Sequence, residues 1–367
     1  MEVRMKRWGA LCAVLALALG ACGTTGKTEG NSPREGAASA PAAEAQVSAP
    51  ATTAVAVPDP RSLTGMVTVD PLPEPHPAQP AAVNLPVTIT DASGAKVTVT
   101  DASRVVTLDM SAAISQTLLA LGLGNTIAGR TVSDTEPSLA DVPVVTESGH
   151  SVNAEAVLRL APTLILTDGT IRGAEGALAQ LEASGIPVVR LTRATKFDDA
   201  PARAAEVARA VGAGQAGEEL AAQISQSIAQ ARIDVAQLAP ADPLRMVFLN
   251  IRPQAGLFML LGSESGASDV IDAVGGRDMA GEAGVTKARP ASQEALLVAN
   301  PEVIIVMTNG LGALGGIEAL EGQPGISQTD AGKKQRVLAI PDNLSLGFGP
   351  QSGDLIRAMG QALYTAQ

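Results

Sequence analysis

One segment of this chain occurs twice. Asn153-Ala-Glu155-Ala-Val-Leu-Arg-Leu-Ala-Pro162-Thr-Leu-Ile-Leu-Thr167 returns as Ser292-Gln-Glu294-Ala-Leu-Leu-Val-Ala-Asn-Pro301-Glu-Val-Ile-Ile-Val306, with 139 positions separating Glu155 from Glu294 and Pro162 from Pro301. Each copy opens on a residue able to cap a helix, Asn153 or Ser292, and places a glutamate in the first turn. A short apolar helix, a Pro turn and an aliphatic run that reads as a buried strand follow. Two α/β units of this spacing predict two similar lobes, and a cleft between lobes is a preferred place for a ligand.

The chain has 367 residues, 46% of them hydrophobic, enough for one or two domains with substantial cores. Its net charge of −11 argues against a nucleic-acid partner. Aromatic residues make up 2%, with one Trp and one Tyr, so the cores are expected to be aliphatic.

The first residues read as a targeting segment. Arg4, Lys6 and Arg7 precede an apolar run, Leu11 to Leu19, that is too short to span a bilayer permanently. It ends Leu19-Gly20-Ala21-Cys22, which resembles a bacterial lipobox. On this reading residues 1–21 are a lipoprotein signal peptide and Cys22 is the lipidated residue. Cleavage takes Cys12 away and leaves no second cysteine for a disulfide, and the net charge falls to −13. The mature chain is then held at the extracytoplasmic face of the cell membrane. Residues 22–84, rich in Ala, Pro, Ser and Thr, read as a disordered tether, with His76 solvated inside it.

Order is expected from Leu85, with a hairpin at Val87–Thr90 and Lys96–Thr100. A buried strand at Arg104–Leu108 and a helix over Ser111–Leu121 follow. Short strands then alternate with helices: Ile127-Ala-Gly, Pro143-Val-Val, Leu164–Thr167 and Pro187–Leu191. Residues 85–199 form the expected first α/β lobe, 200–239 a helical connector, and 240–367 the second lobe. The expected class is α/β, two Rossmann-like lobes joined by a single long α-helix. Gly212-Ala-Gly214-Gln-Ala-Gly217 matches a dinucleotide fingerprint as a string, but it follows a helical run where the fingerprint needs a strand, and reads as a break between helices.

No catalytic constellation is present: no nucleophile elbow, no phosphate loop and no HExxH. His150 is the histidine of the structured region, in Glu147-Ser-Gly149-His150-Ser-Val-Asn153, a loop at the mouth of the sheet. Such a residue is either a surface group or a ligand, and imidazole is a common axial ligand of haem iron. Glu155 and Glu294 have a local explanation in the helix dipole and a functional one as a docking pair for a two-fold partner.

The chain resembles the substrate-binding lipoproteins of ABC importers, within them the actinobacterial haem-binding (HmuT-like) type of class III periplasmic binding proteins. The resemblance covers nearly everything after residue 60 and lies in Arg61–Gly65, Leu85–Thr90, Gly149-His150-Ser-Val-Asn-Ala-Glu155, Pro162–Asp168, Gly262–Gly276 and Leu346-Gly-Phe-Gly-Pro350. It implies a monomer that carries haem to a permease and its ATPase, not an enzyme. It places the haem-iron ligand at His150 and the docking carboxylates at Glu155 and Glu294. In many members a second-lobe tyrosine ligates the other face, with an arginine two residues on. Here the segment reads Phe248-Leu-Asn250-Ile-Arg252, so the arginine is kept and the tyrosine is not. Met259, close by in sequence, is a soft alternative ligand, and Tyr364 is expected to pack in the terminal helix. The rival cargoes are an iron-siderophore and a corrinoid.

Overall fold

The computed structural model describes residues 59–365, apart from Ala78, residues 148–150 and residues 254–255. Its first strand, β1 (Met66–Thr68), pairs in parallel with the last, Val337 to Ile340. A hairpin of β2 (Val87–Thr90) and β3 (Lys96–Val99) follows. Next comes β4 (Val105–Leu108), whose four residues are all buried because it lies mid-sheet with both faces covered. After α1 (Ala113–Ala120) come β5 (Ile127–Gly129) and the short antiparallel pair β6 (Thr146–Glu147) and β7 (Ser151–Val152). Then follow α2 (Ala154–Arg159), β8 (Leu164–Thr167), α3 (Glu175–Ala183) and β9 (Val188–Arg190). The first lobe is built on the parallel sheet β5-β4-β8-β9.

Helices α4 (Ala200–Ala210) and α5 (Gly214–Ala236) link the lobes. The break between them falls within the glycine string, as its sequence context requires. Helix α4 buries Val207, Ala208 and Ala210 in the first lobe's core. In α5, Ile224, Ile228, Ala231 and Val235 recur at helical spacing and join the second lobe's core.

The second lobe holds β10 (Arg245–Arg252), β11 (Leu257–Leu260), α6 (Ala267–Ala273), β12 (Arg277–Asp278), α7 (Met279–Glu282), β13 (Arg289–Pro290), α8 (Gln293–Ala299) and β14 (Val303–Met307). Four short helices and a strand come next: α9 (Thr308–Leu314), α10 (Ile317–Glu321), α11 (Asp330–Lys334), β15 (Val337–Ile340) and α12 (Asp342–Ser345). Its sheet runs β1-β15-β14-β10-β11-β13, with β12 beside the start of β10. The terminal helix α13 (Ser352–Tyr364) packs on α5. A Cβ at Gly353 would overlap Ser227, and one at Gly360 would overlap Val235, so these glycines let the two helices approach closely.

The expected tether, residues 22–84, ends earlier than its composition suggests. Arg61 donates to Glu302 Oε1 at 2.8 Å and to Asp242 Oδ2 at 2.9 Å, and Lys334 Nζ donates to the Arg61 carbonyl. Beyond β1 the chain crosses from the second lobe to the first. Gln351 Nε2 donates to the Pro73 carbonyl, Ser138 bonds Glu74, Ala81 N donates to the Leu121 carbonyl, and Asn84 N to that of Gly212. A three-residue parallel strand has too short a period to stand out among prolines, and its hydrogen-bond partners lie at the far end of the chain. Residues 1–58, with the signal peptide and Cys22, lie outside the described residues. At Pro143-Val-Val a single bridge, Arg130 to Val144, replaces the expected strand.

Candidate functional site

The lobes meet at the carboxyl ends of the first lobe's strands, where open α/β sheets place their ligand crevices. Phe197, beyond the end of β9, packs edge-to-face on Phe348 of the second lobe, ring centroids 5.1 Å apart. Gly266 lies against both sides: a Cβ there would fall 2.5 Å from the Phe348 ring and 2.8 Å from the Thr195 carbonyl. Its φ of +85° also favours glycine. Phe197 N donates to Asp269 Oδ2 at 2.6 Å, Arg232 pairs with Asp198 at 2.7 Å, and Asn343 Nδ2 donates to Glu136 Oε1 at 3.2 Å. One apolar core therefore passes beneath the junction, containing Ala194 and Phe197 from one side and Phe248, Leu344 and Phe348 from the other.

Below the junction lies a cluster of buried acids. Strands β4 and β8 each run directly into an aspartate, Asp109 and Asp168. Arg203 of α4 reaches both, at 3.4 Å from Asp109 Oδ2 and 2.8 Å from Asp168 Oδ2. Asp134 accepts from Thr131 N and Oγ1 at 2.7 and 2.8 Å, and Glu136 accepts from Gln116 Nε2 at 2.8 Å. Asp109 Oδ1, Asp134 Oδ1 and Glu136 Oε2 have no hydrogen-bond partner. Burial pushes the Asp109 carboxyl up to about 8; the charges of Asp168 and Asp134 add to this and that of Arg203 opposes it. Burial likewise raises Asp134 to about 6, against hydrogen bonds from Ser115 and Thr131. Among the described residues no group of histidine, cysteine or acidic side chains is arranged to hold a metal ion. The cluster instead fixes the loops leaving β4 and β8, which edge the crevice. The sequence reading missed it; the signal was an acid at the end of each of two all-buried strands.

On the second lobe, Asn250 stands directly opposite Met259 in the antiparallel β10–β11 pair, and Arg252 opposite Leu257. Residues two apart share a face of a strand, so Phe248, Asn250 and Arg252 form one column. Phe248 is fully buried in the core under the junction, Asn250 and Met259 are half-buried, and Arg252 and Leu257 are exposed. Leu249, Ile251 and Leu260 point into a separate core on the opposite face. The structure thus brings Asn250, Arg252 and Met259 together on a surface that climbs out of the junction.

His150 lies outside the described residues. On either side, β6 pairs with β7, and Asn153 Nδ2 donates to Glu147 Oε1 at 2.5 Å. Val132, exposed at the end of β5, donates from its N to Thr146 Oγ1 of the same hairpin. The repeated units match in their caps: Asn153 Oδ1 accepts from Ala156 N at 2.9 Å, and Ser292 Oγ from Ala295 N at 3.2 Å. Glu155 and Glu294 are exposed in the first turns of α2 and α8, so both carboxylates are free to meet a partner. Tyr364 is buried and donates to the Val274 carbonyl at 2.6 Å, which removes it from the crevice.

Comparison with known proteins agrees with this architecture. The solved structure of the heme binding protein HmuT is 42% identical, covers 84% of this chain and 100% of its own, and superposes with a TM-score of 0.81. The uncharacterized ABC transporter substrate-binding lipoprotein YvrC of Bacillus subtilis (strain 168) is 26% identical over 282 residues, 76% of this chain and 86% of the relative. A cobalamin-binding protein of Halobacterium salinarum is 29% identical over 237 residues, 64% of this chain and 62% of the relative. The periplasmic binding protein model matches residues 105–344, well over half of the chain. Two α/β lobes joined by a long helix, with a crevice at their strand ends, are thereby placed in a family: the chain belongs to the periplasmic binding proteins.

Proposed function

We propose that the chain is the substrate-binding lipoprotein of an ABC importer, anchored through Cys22 at the extracytoplasmic face of the membrane, and that it takes haem between its lobes for delivery to the permease. The observation that carries this reading is the 42% identity with the heme binding protein HmuT, sustained over 84% of the chain. The crevice is chemically suited to such a cargo. Leu257 and Met259 on one lobe and Val132 on the other offer apolar surface to a flat ring, beside the cation of Arg252.

In this reading His150 supplies the axial imidazole. Asn250, where many HmuT-like proteins have tyrosine, is a poor ligand for ferric iron, so the second face is left to water or to the Met259 thioether. Arg252 orients a propionate. Glu155 and Glu294, related by the internal repeat and set on equivalent helices, dock on basic residues of the two permease halves. The protein acts as a monomer and catalyses nothing.

The test is a haemin titration of the full chain followed in the Soret region, alongside His150→Ala. A saturable one-to-one shift that collapses in the variant supports a histidine-ligated haem receptor. A shift indifferent to the variant removes His150 from its role. The second reading, a corrinoid cargo, is favoured by the cobalamin-binding relative and by the absence of tyrosine at position 250. Saturable binding of cobalamin with none of haemin would put it first.

A further inference from the structure

Among the described residues, two stretches of chain pass from one lobe to the other. One is the helical connector, α4 and α5. The other is Val69–Asn84, which leaves β1 in the second lobe's sheet and reaches the first lobe before β2 begins. Pro71, Pro73, Pro75, Pro77 and Pro80 fill half of ten consecutive positions in it. Proline fixes φ near about −65° and holds a chain extended, so a run this dense is a semi-rigid spacer, where Gly and Ser would have made a slack one.

Both ends of this spacer are fixed. On the second lobe, Val69 N donates to the Ala339 carbonyl at 2.8 Å, and Val69 and Leu72 pack with the core that holds Phe248 and Phe348. On the first lobe, Ala81 N and Asn84 N donate to the carbonyls of Leu121 and Gly212, each at 2.8 Å. Gly122 provides the seat: a Cβ there would fall 2.7 Å from Pro80 Cα and 3.1 Å from Pro77 Cγ. Between these ends, two consecutive residues hold opposite lobes. Gln351, the residue before α13, donates from Nε2 to the Pro73 carbonyl at 2.7 Å. Half-buried Glu74 accepts from Ser138 N at 3.1 Å and from the Ser138 hydroxyl. Consecutive Cα atoms stand about 3.8 Å apart, so Pro73 and Glu74 keep Gln351 and Ser138 in register. Glu136, two residues before Ser138, accepts the inter-lobe hydrogen bond from Asn343, which puts this crossing at the same edge of the junction.

We infer that Val69–Asn84 is a strut that limits how far the two lobes separate, with Pro73 and Glu74 as its tie across the junction. Opening of the crevice about the helical connector has to break the Gln351–Pro73 bond or the Ser138–Glu74 bonds, or lengthen a segment that its prolines already hold extended. The strut therefore sets a limit on lobe motion that a single connecting helix does not supply, and it acts with the crevice empty or filled.

Phe197 N, bonded to Asp269 Oδ2 across the junction, reports on lobe separation through its hydrogen exchange. The test follows exchange by mass spectrometry in the ligand-free full chain, in peptides containing Phe197 and, as a reference within one lobe, in β8. The variants are Glu74→Ala, Gln351→Ala and the combined Pro71→Gly/Pro73→Gly/Pro75→Gly/Pro77→Gly. Glu74→Ala and Gln351→Ala each remove one side of the tie and should speed exchange at Phe197 about threefold to tenfold, with β8 at the parental rate. The glycine variant keeps both side chains but loses stiffness, and should speed it as well. Parental exchange at Phe197 in Glu74→Ala and Gln351→Ala would overturn the strut and leave a segment that merely lies on the surface. A rise shared equally by β8 would overturn it too, because the segment would then be supporting the fold as a whole. No ligand is added, so the outcome is independent of which cargo the crevice takes.

Discussion

Asn343 of the second lobe donates to Glu136 Oε1 of the first at 3.2 Å, across 207 positions of chain, and Gln116 Nε2 donates to the same oxygen at 2.8 Å. Glu136 is nearly buried and its other oxygen has no partner, so this carboxylate depends on two donors, one from each lobe. Asn343→Ala removes the second-lobe donor. It should cost about 1–2 kcal/mol, read as a lower denaturant midpoint with an unchanged slope. A midpoint equal to the parent's would show that the bond contributes nothing to holding the lobes together.

Asp109 gives the protein a pH-dependent stability of unusual sign. Its carboxyl is raised from 3.8 to about 8, so between those values the folded chain holds a proton that the unfolded chain releases. Stability from this group is fully present below 3.8 and is lost as pH rises through about 8. Asp134, raised to about 6, acts in the same direction over the lower part of the window. Thermal unfolding should therefore move to lower temperature on going from mildly acidic to mildly alkaline buffer. Asp109→Asn, permanently neutral at this position, should flatten that trend; a variant that keeps the parent's full pH slope would remove the assignment.

Position 250 can be tested by installing the tyrosine that the resemblance to HmuT-like proteins implies there. Asn250 and Met259 face each other across β10–β11, so a tyrosine at 250 would project from the same surface toward the crevice. Phenolate is an established ligand of haem iron. Asn250→Tyr is expected to tighten ferric haem about tenfold and to add a phenolate-to-iron absorption band. An unchanged spectrum would mean that this column of β10 does not face the iron.

The docking pair makes a prediction of a different kind. Like charges brought together across an interface cost several kcal/mol, so charge reversal at both Glu155 and Glu294 should lower permease-coupled ATPase stimulation in proteoliposomes at least about tenfold. Haemin binding in solution should stay at the parental value. Stimulation that survives the double reversal would return both residues to the local role of stabilising their helices.

Much of this fold was legible because its signals are local. The repeated cap, helix, Pro turn and aliphatic strand marked α2–β8 and α8–β14, and the stripe from Ile224 to Val235 marked the connector. The first-turn placement of Glu155 and Glu294 was legible for the same reason. The acid cluster was not, because Asp109, Asp134, Glu136, Asp168 and Arg203 come from separate stretches of chain and become neighbours only once the sheet forms. Segment 59–84 departs from its composition because a Pro-rich stretch describes a chain's intrinsic preference, while Arg61, Met66–Thr68 and Ala81 are ordered by partners supplied from elsewhere. Helices α9 to α12 leave little trace in the sequence because each is short and rich in glycine or charge.

The pairing of β1 with β15 also bears on how the molecule is made. Met66 to Thr68 lie beside Val337 to Ala339, so the second lobe's sheet joins a strand near the start of the described residues to one more than 260 positions later. A chain synthesised from its N-terminus must keep that edge strand unpaired while the β2–β9 region, whose strands pair among themselves, assembles. Contacts of such sequence separation form late and slowly. Until residues 337–340 have been made, the Met66–Thr68 strand has no partner in its sheet, so the second lobe closes only once its C-terminal strand is supplied.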